Sequence, residues 1–591
     1  MDIKSPLIIN VDNRKKVSLN GKWQTIVDLY DTGYYDSHMA IEKNGFFKNE
    51  KPKDKSDRVE YEFTPADNLM VPGDWNTQRE KLYYYESTVW YKKDFDYALP
   101  KGRRLFVYFG GANYITNVYC NGEPLGDHEG GFTPFNFELT SHVKEQDNFI
   151  IARVNAARSY DAVPMGMTDW YNYGGITRRV MLIDVPETFI QDYFIQLEKG
   201  SFDKISGRIQ LNGTKASQKL TIGIPEAGVS HTIMTNDDGY AAFEFTAELE
   251  LWSPENPKLY DVIIKAETDE VHDQIGFRSI ETKGRDILLN GKSIFLRGIC
   301  FHEESPFPNQ GRASRMDEAE ILFGWVKELN CNYVRLAHYT HNENMTRAAD
   351  RLGILLWAEI PVYWNMAWSN KATCENAKNQ LKEMIHRDKN KASIILWSVS
   401  NETPVSLKER DDFLLELVNI AKGIDPTRLT TAALHTGHPT VFTDTQTKFK
   451  MEDTMGQHLD VVAFNRYIGW YDALPDHCDS VEFDTIYPDK PHIVSEFGAG
   501  GLAGHHGDKL TRWTEEFQEY SYEKQLAMYK RVPFLRGLSP WILKDFRTPK
   551  RLLPGIQDDW NRKGVVSNQG EKKKAFYVLQ KFYAELKANF K

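Results

Sequence analysis

Residues 394–402 read IILWSVSNE, a run of branched and aromatic side chains that stops on Ser400, Asn401 and Glu402. A short apolar run closed by polar residues predicts a strand buried on both faces, as in a parallel sheet. The pattern recurs to either side, in SIFLRGICF (293–301), NYVRLAH (332–338), ILLWAEI (354–360), LTTAAL (429–434), VVAFNRY (461–467), HIVSEF (492–497) and FLRGLSPWIL (534–543). With the first stretch these make eight, the strand number of a (β/α)8 barrel. Between the first two, Ile321, Leu322, Trp325, Val326 and Leu329 recur on one helical face, as a barrel helix requires. Helix-period segments also fall at about 343–352, 375–386, 411–422, 515–530 and 572–588, so strand and helix alternate.

Upstream of the barrel the rhythm is different. RLFVYFGG puts Leu105, Val107 and Phe109 on one face, and Asn121-Gly122 is a hairpin signal because both residues tolerate positive φ. Residues 1–185 therefore read as a β-sandwich. RIQLNG, KLTIGI, YAAFEFTAEL and YDVIIKAE continue in strands through 186–282, with Pro254 and Pro257 marking a bend, which predicts an immunoglobulin-like sandwich. Residues 283–591 are then the barrel. Three units suit a chain of 591 residues, which exceeds what one core organises.

Bulk composition narrows the function. A formal net charge of −10 over this length argues against nucleic acid, which wants a concentrated basic face. The run Lys572, Lys573, Lys574 reads as the solvated start of a helix. Five scattered cysteines without CxxC spacing predict free thiols rather than a disulfide framework or zinc site. No apolar run approaches the ~18 residues of a membrane span, and MDIKSPLIIN lacks the pattern of a leader peptide. A soluble chain is expected, cytoplasmic as written or periplasmic if a leader has been removed. The aromatic share of 13% suits ring-lined pockets and cores alike.

Barrel active sites lie at the C-terminal ends of the strands, and there the polar residues concentrate. Ser400, Asn401 and Glu402 end strand four, Asn465, Arg466 and Tyr467 strand six, and Ser495 and Glu496 strand seven; Trp541 lies in strand eight, and Arg335 and His338 sit near the end of strand two. A carboxylate at the rim of a packed core is costly unless paired or used. Two of them about 5–5.5 Å apart would suffice for glycoside hydrolysis with retention, one attacking the anomeric carbon and the other protonating the leaving oxygen. Mutual repulsion and burial would raise the pKa of the acid. Spacing does not say which glutamate is which. His302, His338 and His341 with Glu303 and Glu304 match no zinc signature, and retaining hydrolysis needs neither metal nor cofactor.

LNGKW, DWYNYGGITRRVML, LWSPENPKLY, WSVSNE, FNRYIGWY, SEFG and WNRKG together resemble glycoside hydrolase family 2, and within it the β-glucuronidases, over essentially the whole chain. The resemblance implies a sugar-binding jelly-roll, an immunoglobulin-like sandwich and a barrel, with Glu402 as acid/base and Glu496 as nucleophile. It also implies that Asn561 and Lys563 of WNRKG contact the C6 carboxylate of a uronic acid. Such contacts are charge-assisted hydrogen bonds that a neutral hexose cannot return. Arg562 is expected to point elsewhere. Asn401, His338, Asn465, Tyr467, Trp470, Tyr471 and Trp541 should line the pocket, and Asp169 should reach over from the sandwich to a sugar hydroxyl.

The stretch WILKDFRTPKRLLPGIQDDWNRKG departs from the family's shorter bacterial loop, with additional basic residues Lys544, Arg547, Lys550 and Arg551. A larger or more acidic aglycone, or cleavage of β-galacturonides, would account for them. The expected partners are a β-glucuronide or a uronic-acid-containing oligosaccharide and further copies of the chain. Two alternatives stand beside this reading: a β-galacturonidase or β-galactosidase of the same family, and a non-catalytic carbohydrate-binding protein, against which the presence of both glutamates argues.

Overall fold

The computed structural model describes residues 6–34, 45–52, 54–56, 61–64, 67–405, 407–442 and 446–590; the first five residues of MDIKSPLIIN lie outside them. Eight parallel strands close into a barrel: β1 (Leu296–Phe301), β2 (Tyr333–Leu336), β3 (Leu355–Glu359), β4 (Ile394–Asn401), β5 (Leu429–His435), β6 (Val462–Asn465), β7 (His492–Glu496) and β8 (Leu535–Leu538). Each comes from one of the eight apolar runs, and β8 pairs back onto β1. The helices are α1 (Met316–Glu328), α2 (Glu343–Leu352), α3 (Lys371–Asp388), α4 (Lys408–Ile424), α5 (Glu515–Lys530) and α6 (Lys574–Asn589). Among the described residues no α-helix follows β5 or β6. The segments there are rich in Asp and Pro and hold only the 3-10 turns Thr454–Gln457 and Pro475–Ser480 and a small sheet.

Two runs are shorter as strands than they read. SIFLRGICF is broken at Phe295: Lys292–Ile294 belongs to a three-stranded antiparallel sheet with Asp286–Leu289 and Ile280–Lys283. Ile280, Ile287 and Leu289 of that sheet, with Trp252, pack on Leu296, Tyr333, Leu355, Leu396 and Ile493 of the barrel strands. The chain thus plugs the floor of the barrel before entering its wall. FLRGLSPWIL stops as a strand at Leu538, since Pro540 has no N–H for a ladder. Trp541 therefore lies beyond β8, its N–H bonded to the Phe497 carbonyl at 2.7 Å.

The run of three lysines is also not what it seemed. Lys572 pairs with Glu328 and Lys574 with Glu516 at the surface, but Lys573 is fully buried against Asp545 at 2.8 Å. Its ammonium also donates to the carbonyls of Gly501 (2.6 Å) and Arg562 (3.2 Å). A buried ammonium is tolerable only with such partners.

The N-terminal sandwich stacks a six-stranded sheet (Asn68–Val71, Gly21–Asp28, Thr88–Phe95, Asn148–Asn155, Ile115–Cys120, Glu123–Glu129) on a four-stranded one (Lys15–Ser18, Val180–Pro186, Arg103–Phe109, Phe135–Glu138). Leu105, Val107 and Phe109 are buried between them, while Phe106 and Tyr108 face the second sandwich. Asn121 and Gly122 turn the hairpin with φ of 51° and 83°. The second sandwich pairs Phe189–Leu197, Lys204–Asn212 and Tyr240–Thr246 against a sheet of Val229–Met234, Lys219–Ile224, Tyr260–Lys265 and Glu270–Ile275. All five cysteines are free. Among the described residues no helix is long and apolar enough to cross a membrane.

Candidate active site

Every residue of β4 is buried, and the chain leaves the strand at Glu402 with φ of 48°. Trp364, in the loop after β3, also has a positive φ, 55°. The two left-handed residues support one another. The Trp364 N–H donates to the Asn401 carbonyl at 2.9 Å, and its indole N–H donates to Glu402 Oε2 at 2.9 Å. Non-glycine residues held at positive φ cost of order 1–3 kcal/mol each and persist where surroundings over-determine them.

At the centre of the barrel mouth Arg335 joins four strands. Its guanidinium donates to Glu496 Oε1 (2.7 Å), Asn401 Oδ1 (2.7 Å) and both oxygens of Glu359 (2.9 and 3.2 Å). Tyr467 donates its hydroxyl to Glu496 Oε2 at 2.6 Å. Asn465 donates to Glu402 Oε1 and to Asn401 Oδ1, each at 3.1 Å, and accepts from Ser495 Oγ at 2.7 Å. His338 sits 3.0 Å from Glu359 Oε1, and its ring stacks on Trp541 with centroids 4.7 Å apart. Glu402 and Glu496 therefore belong to one hydrogen-bonded network.

The electrostatics of the network are unequal. Burial alone would raise the Glu359 carboxyl, but Arg335 and then His338 outweigh it and bring it down to about 2. Burial works against the charge of Arg335, yet Glu359 first and Glu496 second hold that charge firmly in place. Glu496 goes the other way: burial pushes its pKa above the ordinary value, and repulsion from Glu402 adds to this against the pull of Arg335. A shared guanidinium thus ionises the structural carboxylate and leaves its other client poised.

A second cluster forms in the connection after β8. Lys563 is buried, and its ammonium donates to the Tyr471 hydroxyl at 2.9 Å while lying 5.6, 5.3 and 4.9 Å from the ring centres of Tyr467, Trp470 and Tyr471. Among the described residues no carboxylate pairs with it. Asn561 accepts the Lys563 backbone N–H at 3.1 Å and lies 3.4 Å from Asp169 Oδ2. Arg562 turns away, to Asn568 at 2.7 Å and the Ile556 carbonyl at 2.9 Å. Asp169 does reach over from the sandwich, where it is bound by Arg551, at 3.0 Å from Nε, and by Thr548 at 3.1 Å. Tyr467 links the clusters, touching Glu496 through its hydroxyl and Tyr471 edge-on at 5.3 Å.

All twelve residues singled out in the sequence fall in these two clusters or against them. Missing from the sequence reading were Glu359, Trp364, the reach of Arg335 and the parts played by Ser495 and Arg551, which it noticed without giving them a role. Glu359 carried a signal, since it closes the apolar run ILLWAEI as Glu402 closes IILWSVSN. The others carry none that spacing reveals.

Comparison with known proteins bears on this geometry over the whole chain. Residues 17–186 match the sugar binding domain of glycosyl hydrolases family 2, residues 188–278 match glycosyl hydrolases family 2, and residues 280–588 match the family's TIM barrel domain. A β-glucuronidase of Bacteroides fragilis is 30% identical over 86% of this chain and 77% of its own length, and one of Paenibacillus borealis is 26% identical over 88% and 91%. Among solved structures, Bifidobacterium dentium β-glucuronidase in complex with coumarin-3-O-glucuronide superposes with a TM-score of 0.82 at 23% identity, covering 97% of each chain. A galacturonate-bound β-galacturonidase of Eisenbergiella tayi superposes at 0.79 and 22% identity, covering 99% of each. The fold and its matches define a glycoside hydrolase. The chain belongs to glycoside hydrolase family 2.

Proposed function

We propose that the chain is a retaining exo-β-glycosidase that removes terminal β-D-glucuronides, with Glu496 as nucleophile and Glu402 as acid/base. Glu496 attacks the anomeric carbon as Glu402 gives its proton to the glycosidic oxygen, and the aglycone departs. Glu402 then takes a proton from water, the oxygen of that water attacks the same carbon, and the Glu496 carboxylate is released, so configuration is kept overall. Arg335 and Tyr467 orient Glu496. The Asn401 side-chain oxygen is taken up by Arg335 and Asn465, which leaves its amide N–H groups for the sugar, where they would bond a 2-hydroxyl in the transition state.

The observation that carries the sugar assignment is Lys563. A buried ammonium with three aromatic rings around it, to one of whose hydroxyls it donates, and with no carboxylate pairing with it among the described residues, lacks the counter-ion that a buried charge needs. A uronate carboxylate supplies that charge, with Asn561 beside it. The names of the relatives point the same way, since both curated proteins quoted above are β-glucuronidases. The test compares kcat/KM for aryl β-glucuronide, β-galacturonide, β-galactoside and β-mannoside. The glucuronide should lead, and Lys563→Met should lower its kcat/KM by about 100-fold or more, the cost of losing one partner of a buried charge pair. Equal turnover of the galactoside, or a Lys563→Met enzyme as active as wild type on the glucuronide, would discard the assignment. Proton NMR of the first-formed sugar should show the β-anomer.

A further inference from the structure

The stretch 544–551, in the connection after β8, carries four basic residues whose fates differ. Lys544 is buried, Arg547 packs over Tyr83 and Trp560 at 5.7 and 5.1 Å, and Arg551 is bound to Asp169. Lys550 alone of the four is exposed. Its ammonium lies 4.0 Å from the centre of the Trp364 ring, close enough for a cation–π contact. Among the described residues no carboxylate pairs with it. The chain on either side of Lys550 is anchored, by Arg547 on Tyr83 and Trp560 and by Arg551 on Asp169.

The position matters because the same Trp364 donates its indole N–H to Glu402 Oε2 at 2.9 Å. In the reaction proposed above, Glu402 hands its proton to the glycosidic oxygen, so the leaving group starts beside this carboxyl and next to the Trp364 ring. The uronate end of the substrate is held elsewhere, at Lys563 and Asn561. A second cation, unpaired and exposed at the departing side, has nothing to do in recognising the terminal sugar.

We infer that Lys550, seated on Trp364, forms a subsite for a leaving group that bears an anion, a carboxylate or a sulfate, on the unit attached to the scissile bond. The inference rests on the acid/base assignment of Glu402. The aromatic ring offers a flat apolar surface for a sugar or aryl ring, and the ammonium at its face selects for negative charge carried by that ring. Because Lys550 is exposed, the attraction is modest and screened by salt.

Three aryl β-glucuronides of similar shape test this, with para-hydroxybenzamide, para-hydroxybenzoate and para-hydroxyphenyl sulfate as leaving groups. The readout is the ratio of kcat/KM for each anionic substrate over the neutral amide, which cancels intrinsic reactivity when enzymes are compared. Lys550→Ala should lower both ratios about fivefold and Lys550→Glu should lower them further, as expected for an exposed charge pair removed and then reversed. Lys550→Arg should preserve them, and raising the salt concentration should lower the ratios of wild type and Lys550→Arg but not those of Lys550→Ala. A drop confined to one anion assigns the subsite to that anion. Ratios that are the same in wild type, Lys550→Ala and Lys550→Glu would overturn the inference. Failure of the wild-type enzyme to split any of the three would instead overturn the glucuronidase reading beneath it.

Discussion

The two ends of the barrel differ in what closes their centre: an apolar plug at the floor, ringed by buried Arg278 and the buried Arg428–Asp425 pair, and a charged network at the mouth. At the floor, Trp252, Ile280, Ile287 and Leu289 seal the strands with apolar surface, and the Trp252 indole N–H is satisfied by the Asp350 carbonyl at 2.9 Å. At the mouth, Arg335, Glu359 and Glu496 are buried as charges, and Trp364 and Glu402 hold unfavourable backbone angles. Packing of the first kind stabilises by removing apolar area from water, whereas buried charges recover at best what desolvation costs them. One end should therefore govern whether the chain stays folded and the other whether it turns over substrate.

That division can be broken in three places. The largest effect belongs to Glu496→Gln, which should lower kcat by about 10⁴-fold or more, as loss of a nucleophile does, while thermal unfolding stays near wild type. An active variant, or one that fails to fold, would show that the mouth is not specialised as argued. Next comes Trp252→Ala at the floor. Removal of a fully buried indole should cost about 3–5 kcal/mol in chemical denaturation, with kcat/KM kept at temperatures where the variant remains folded. A loss of activity in the folded variant would mean that floor and mouth are coupled.

The smallest effect lies in pH dependence. Because Glu359 is depressed to about 2 from an ordinary 4.5, its contribution to stability is full above about pH 4.5 and is lost as pH falls through 2. The stability difference between wild type and Glu359→Gln should shrink across that window. The same substitution frees Arg335 to serve Glu496 alone, so the acid limb of kcat/KM, set above the ordinary glutamate value by burial of Glu496, should move to lower pH. An unmoved limb would mean that Arg335 is not shared between the two carboxylates.

The eight barrel strands were legible because both faces of each are buried, which leaves an unbroken apolar run such as IILWSV. Glu402 and Glu496 were legible because each closes such a run. Glu359 obeys the same rule and differs in taking Arg335 on both of its oxygens, a fact that depends on a residue 24 positions earlier, on the preceding strand. The three consecutive lysines show the limit in miniature: identical side chains, yet only Lys573 sits at the helix entry that turns it inward to Asp545. The floor sheet was hidden for another reason. Its strands are too short and too alternating to separate from the sandwich before them or the barrel after.

The contact between Asp169 and Arg551 joins residues 382 positions apart in the chain. The jelly-roll is therefore no detachable accessory: it lends an anion to the lip of the catalytic cleft, and the loop that carries Asn561 and Lys563 leans on it. A barrel excised at its own borders would keep both glutamates and still lose the brace that sets the shape of its substrate rim.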